Sequence, residues 1–252
     1  MRFVTDSPTL AARWTLRFNT LALKHMPATG LSGIDLYARP GASWGWVGVG
    51  IPEKVDGNEA TLVNGAPSGA HEYMLYFPLY NGVESVEIGV KPGSTLAPGP
   101  PYEDRRAKPM LFWGSSILQG GCASRPGLAY PSILGRRMQR PVINLGFSGN
   151  RRMDPPVVDL IARLDVSIYV IDCALNMDPA LISERTEPLV RTLRHAHLDT
   201  PIVLVENVPY KKWKVSGRKP RCIREQEHSV AGRVRAATPH FSPVAPDDGS
   251  DG

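Results

Sequence analysis

Met110-Leu111-Phe112-Trp113-Gly114-Ser115-Ser116-Ile117-Leu118-Gln119-Gly120 changes character midway. Four apolar residues come first, with no polar alternation among them. A glycine and two serines follow. A short continuous apolar run suits a strand covered on both faces. Glycine lets the chain turn sharply out of such a strand. A serine at that turn stands at the sheet edge, close to a helix start whose free N–H groups and dipole favour a developing negative charge. Taken alone, Gly-Ser-Ser is equally an ordinary capped turn. It is not a Walker A loop, because Gly121 and Cys122 follow where Lys and Ser/Thr would be needed. The Gly-x-Ser-x-Gly elbow of α/β-hydrolases is also absent.

Downstream, residues 141–147, 166–173 and 201–208 repeat the apolar-run pattern. Helical spacing lies between them. Val157, Val158, Ile161 and Leu164 mark a helix over 155–164, with Asp154 as its N-cap before two prolines. Leu189, Val190, Leu193 and His197 mark another over 181–198. Strands separated by helices imply βαβ units and a parallel, doubly wound sheet. Ligands bind such sheets at the carboxyl ends of the strands. Asn144-Leu145-Gly146-Phe147-Ser148-Gly149-Asn150 follows the second strand, where glycine would let backbone N–H approach a ligand closely. Asp172-Cys173-Ala174-Leu175-Asn176-Met177-Asp178 follows the third, where Asn176 could aim an amide into the same crevice. Each is, by itself, an ordinary strand-to-helix turn.

Upstream, the pattern is all-β. Residues 12–18 alternate, placing Trp14, Leu16 and Phe18 on one face. Residues 72–79 group Tyr73, Leu75 and Phe77, and residues 85–90 group Val86, Ile88 and Val90. Turn residues such as Asp56-Gly57, Asn64-Gly65 and Asn81-Gly82 separate short strands, as in a β-sandwich. The expected divisions are a β-sandwich over 1–95, a Pro-rich linker over 96–109, an α/β domain over 110–210 and an irregular basic tail over 211–252.

Together, Gly-x-Ser, Asn-x-Gly-x-x-Gly and Asp-x-x-x-Asn-Met at the ends of successive strands resemble the SGNH (GDSL-like) hydrolase superfamily. The closer resemblance is to its acyl-esterase branch with an N-terminal β-sandwich. That branch typically reads Gly-Thr-Ser-Ile-Thr-Gln-Gly and then Cys-Ala-Ser-Arg-Pro-Gly; here residues 122–127 are CASRPG and 142–150 are VINLGFSGN. The strings HMPATGLSGIDLYAR and LYNGVESVEIGV extend the resemblance into the β-rich part. It implies a flavodoxin-like α/β fold and a serine ester hydrolase acting on acyl or acetyl esters, including carbohydrate esters, without cofactor or metal. By resemblance, Ser116 is the nucleophile. The backbone N–H groups of Ser116 and Gly149 and the side chain of Asn176 form the oxyanion hole. Ser115, Leu118, Arg151-Arg152 and Ala174-Leu175 depart from the family strings, and the arginines bear on the mouth of the site.

The family takes its general base from a late Asp-x-x-His, and no histidine follows Asp247, Asp248 or Asp251. The resemblance therefore implies either an α/β domain truncated at the C-terminus or a C-terminal stretch that departs from the family's reading frame. His25, His71, His195, His197, His228 and His240 stand outside the motif, so no histidine is assigned. A non-catalytic glycan- or partner-binding module is the alternative. A Rossmann-type nucleotide site is disfavoured, since no Gly-x-Gly-x-x-Gly follows a strand.

Bulk properties fit this reading. The 252 residues are 42% hydrophobic and 21% charged, with a net charge of +5. Most of that excess sits in residues 211–252, which hold 9 Lys+Arg against 5 Asp+Glu. A basic tail on a near-neutral body does not indicate a nucleic-acid partner, which needs a patch on a folded face. Cys122, Cys173 and Cys222 form no zinc spacing and no disulfide framework. With no signal-peptide run and no membrane span in view, the expected location is cytoplasmic. The sequence leaves the oligomeric state open.

Overall fold

A computed structural model describes residues 1–150 and 152–206. The first part is built from β1 (Arg2–Thr5), β2 (Thr9–Leu16), β3 (Ile34–Ala38), β4 (Gly45–Gly50), β5 (Asn58–Asn64), β6 (His71–Tyr76), β7 (Val83–Val90) and β8 (Leu96–Pro98). They form two antiparallel sheets, in the orders β4-β3-β6-β1-β8 and β5-β2-β7. The two sheets share one apolar core. Leu10, Ala12, Trp14 and Leu16 of β2 meet Ile34 and Leu36 of β3 and Tyr73 and Leu75 of β6. On the outward face of β2, Arg13 sits between its register partners Glu59 and Glu87.

Two aromatic residues that alternation groups with the apolar faces of their strands lie exposed. Phe18 is 56% exposed, because β2 ends at Leu16. The Asn81 side chain then takes over pairing, accepting from Phe18 N at 3.0 Å and donating to Phe18 O at 2.9 Å. Phe77 is 41% exposed because β6 ends at Tyr76. Pro78 follows it and cannot donate to a ladder. Residues 96–98, read from sequence as the start of a linker, pair with β1 as an edge strand. Pro98 is tolerated there because an edge strand needs ladder bonds on one side only. The rest of that stretch carries one helical turn, α2 (Asp104–Ala107), after α1 (Ala28–Leu31).

The second part is a four-stranded, wholly parallel sheet of β9 (Met110–Gly114), β10 (Val142–Gly146), β11 (Ile168–Asp172) and β12 (Ile202–Leu204). Its order is β10-β9-β11-β12. The connecting helices are α3 (Ser116–Gln119), α4 (Tyr130–Met138), α5 (Pro155–Ile161) and α6 (Pro179–Ala196). This is the doubly wound, flavodoxin-like arrangement expected from sequence, with its switch point between β9 and β11. Strand β9 explains its own composition. Leu111 and Trp113 enter the core beneath α5 and α6, while Met110 and Phe112 enter a second core that includes Leu118, with Tyr130 and Leu134 packed against it. With both faces covered, no position in the strand is left for a polar residue. The basic tail expected over 211–252 lies outside the described residues.

Helix α6 begins with a side-chain cap: Asp178 accepts a hydrogen bond from Leu181 N at 2.9 Å. Asp178→Ala is expected to cost about 1 kcal/mol, read as a lower urea midpoint at unchanged m-value. Asp154 differs from the sequence expectation. It occupies the N-cap position of α5, but its side chain caps nothing. Pro155 and Pro156 supply no N–H groups, and Val157 N is already taken by Asp154 O. The carboxylate reaches Arg185 at 2.7 Å instead.

Candidate active site

Ser115 and Ser116 divide two tasks. Ser115 is fully buried and is the N-cap of α3, its Oγ accepting from Ile117 N at 3.1 Å. Ser116 is the first helical residue and is half-buried. Among the described residues no hydrogen bond uses Ser116 Oγ. The capping role that a Gly-Ser-Ser turn could have given to either serine thus falls on Ser115. Gly120 closes the helix with φ 115°, its N–H shared between Ile117 O and Ser116 O.

The loop after β10 is drawn against this turn. Phe147 N donates to Gly114 O at 2.9 Å, and Ser148 N donates to Gln119 Oε1 at 2.9 Å. Gly149 follows with φ 75°, in a turn closed by Asn150 N to Phe147 O at 3.3 Å. Gly146 packs directly against α3. A Cβ there would stand 2.3 Å from the Cα and N of Gln119, so the close approach is to α3 rather than to a ligand. Asn144 bridges the same elements, donating to Leu118 O at 3.1 Å.

At the switch point, Asp172 is the register partner of Gly114. Tyr130 donates its hydroxyl to Asp172 Oδ2 at 2.9 Å. Burial, reinforced by the Asp172 charge, pushes the Tyr130 hydroxyl far above its usual range, so it remains a donor. A short 3₁₀ turn, Ala174–Asn176, follows β11. The Asn176 side chain lies outside the described residues. Ser116, Gly149 and Asn176 therefore follow three neighbouring strands at one end of the sheet. A cleft of about 480 Å³ opens beside them, lined by Trp113, Gln119, Gly146, Phe147, Ser148 and Asn150, among others. Ser116 is not part of that lining. A second groove of about 800 Å³ shares Gln119 and Gly146 and runs toward Phe77 and Tyr102.

The described histidines sit elsewhere. His25 is exposed, and His71 lies 3.0 Å from Pro67 O. His195 and His197 lie at the far end of α6, whose 18 residues span roughly 27 Å. His197 packs on Tyr169 and lies 2.9 Å from Ala162 O. His228 and His240 lie outside the described residues. Among the described residues, no group of three His, Cys, Asp or Glu that could hold a metal comes together, and no helix is long and apolar enough to cross a membrane.

Residues 107–238 match the GDSL-like lipase/acylhydrolase family, and residues 1–96 match the N-terminus of SGNH-hydrolase-type esterases. The chain belongs to the GDSL-like lipase/acylhydrolase family. No curated protein sequence matches it. Among solved structures, a protein assigned as a GDSL-like lipase from Bacteroides ovatus ATCC 8483 is 34% identical, with a TM-score of 0.85 over 93% of this chain and 68% of its own. The salicylyl-acyltransferase SsfX3 of a tetracycline biosynthetic pathway has a TM-score of 0.70 at 18% identity, over 93% of this chain and 65% of its own. A family two carbohydrate esterase from Clostridium thermocellum, in complex with cellohexaose, has a TM-score of 0.63 at 13% identity, over 94% and 78%. These last two share the fold.

Within this GDSL-family chain, sequence reasoning missed the residues that hold the loop after β10 in place. Met153 has φ 51° and plugs into the core beneath α5 and α6. Arg185 of α6 donates to Arg152 O at 2.9 Å and to Asp154 Oδ1 at 2.7 Å. Arg151 lies outside the described residues. Arg185→Ala is expected to cost about 1 kcal/mol, since both partners are partly exposed. Calorimetry of Arg185→Ala, Asp154→Ala and the double variant should give strongly non-additive losses. Simple additivity would show that the pair does not tether the loop.

Proposed function

We propose that the chain is a serine ester hydrolase that forms an acyl-enzyme on Ser116. In this reading Ser116 Oγ attacks the ester carbonyl carbon, and its proton passes to a general base. The backbone N–H groups of Ser116 and Gly149 and the Asn176 amide receive the developing oxyanion. Each such donor is typically worth about 10²–10³ in turnover. The carbon–oxygen bond to the alcohol then breaks, the alcohol leaves with a proton, and water hydrolyses the acyl-serine. Family membership supports the reaction class. The observation that carries the assignment of Ser116 is the division of labour at the turn. Ser115 caps the helix, and Ser116 is left half-buried at the switch point with its Oγ uncommitted among the described residues. The substrate is proposed to be an acyl or acetyl ester, with a carbohydrate ester favoured by the fold shared with the Clostridium thermocellum esterase.

The placement of the described histidines away from Ser116 favours one second reading, a non-catalytic glycan- or partner-binding module. A fluorophosphonate probe separates the two. Phosphonylation, with loss of fluoride, found by peptide mass spectrometry at Ser116 alone supports the hydrolase. An unlabelled Ser116 at probe concentrations that saturate a serine esterase control supports the binding module.

A further inference from the structure

We propose that the N-terminal sheets are part of the machinery that positions Ser116, with Tyr80 and Asp35 as the positioning residues. The proposal rests on the reading of Ser116 as nucleophile. Tyr80 lies in the segment after β6 and donates its hydroxyl to Ser116 O at 3.1 Å. The same carbonyl accepts Gly121 N at 2.6 Å and Gly120 N at 3.2 Å. One of the three donors fixing the backbone of Ser116 therefore comes from the N-terminal part. Beside it, Gln119 Nε2 donates to Leu79 O at 3.0 Å. Gly120 packs so closely that a Cβ would stand 2.6 Å from Leu79 Cδ1.

The far end of the same stretch is gripped by β3. Asp35 is fully buried, and its Oδ2 accepts Gly127 N at 2.9 Å. Its Oδ1 accepts Trp46 Nε1 at 2.8 Å and is ion-paired with Arg125 Nε at 3.4 Å. Gly127 has no room for a side chain, since a Cβ would stand 2.3 Å from the Tyr37 ring. Thr29 adds a bond from its hydroxyl to Ser124 O at 2.6 Å. Residues 116–127 are thus held at both ends by the N-terminal sheets and their loops.

A carboxylate buried between two structural units is costly unless it is fully satisfied. Burial pushes the Asp35 carboxyl above its ordinary range, while Gly127, Arg125 and Trp46 hold it down. Satisfied from both sides, Asp35 ties the two parts together in one register. For a nucleophile that matters, because a displacement of about 1 Å can cost roughly 10²-fold in rate.

The test uses the full chain with Tyr80→Phe and Asp35→Asn. Turnover of p-nitrophenyl acetate, the rate of fluorophosphonate labelling at Ser116 and the thermal midpoint are measured together. Tyr80→Phe deletes one hydroxyl and guards against misfolding of the Asp35 variant. The expected result for Tyr80→Phe is about a 10-fold fall in kcat at unchanged KM, a matching fall in labelling rate, and a midpoint close to the parent's. Asp35→Asn is expected to lower kcat in the same way, beyond any loss of folded protein. Labelling of the parent at Ser116 with equal kcat and labelling rate in both variants overturns the positioning role and leaves the hydrolase reading intact. Failure of the parent itself to label overturns both.

Discussion

Ser116→Ala is expected to reduce ester hydrolysis by about 10⁴-fold or more, to the level that binding and oxyanion donors alone sustain. The change removes one oxygen atom that no hydrogen bond among the described residues uses. The Ser115 cap remains, so the fold has no reason to respond. Losses in kcat at an unchanged thermal midpoint would therefore report chemistry alone. Hydrolysis of p-nitrophenyl acetate by the parent and the variant, each over a wide enzyme range, gives the ratio. A ratio near one would sink the nucleophile assignment and favour the binding-module reading.

Gly114→Ala is expected to damage stability and activity together. A Cβ on Gly114 would stand 2.3 Å from Asp172 O and 2.8 Å from both the carbonyl carbon and Cβ of Asp172. Those obstacles are mostly backbone of the neighbouring strand, not the end of a flexible side chain. Relief requires β9 and β11 to part where the turn to Ser116 begins. Overpacking of a core typically costs 1–3 kcal/mol and occasionally more, and a loss of about 3 kcal/mol or more is expected here. Urea unfolding of the variant measures it. A midpoint matching the parent's would mean that the sheet yields at its switch point and that Gly114 is not required sterically.

What could be read in the sequence follows from how locally each feature is determined. The β9 run was legible because burial on both faces removes every polar position. The turn after it was legible because its residue types are tied to chemistry at a strand end. Alternation misplaced Phe18 and Phe77 because periodicity does not say where pairing stops. That is decided by Asn81 capturing the backbone of Phe18 and by Pro78. Leu96–Pro98 was invisible as a strand because three residues carry no period. Asp35 and Tyr80 lie 92 and 36 residues from the groups they bind, and no local pattern marks such partners. The packing of Gly146 on Gln119 could not be read from sequence, because it joins two separate turns.

The strand order of the first sheet also sets a schedule for folding. β1 lies between β6 and β8, with Phe3 paired to both Tyr73 and Pro98. A growing chain therefore holds β1 unpaired until β6, the sixth of these eight strands, has been made. Contacts of such long sequence separation form slowly, and strands waiting for partners are prone to aggregate. The α/β part instead adds each new strand beside one already made, β10 and β11 beside β9 and then β12 beside β11. Folding of the N-terminal sheets is thus expected to be the slow step during synthesis, and the stretch from Ser116 to Gly127 settles only after it.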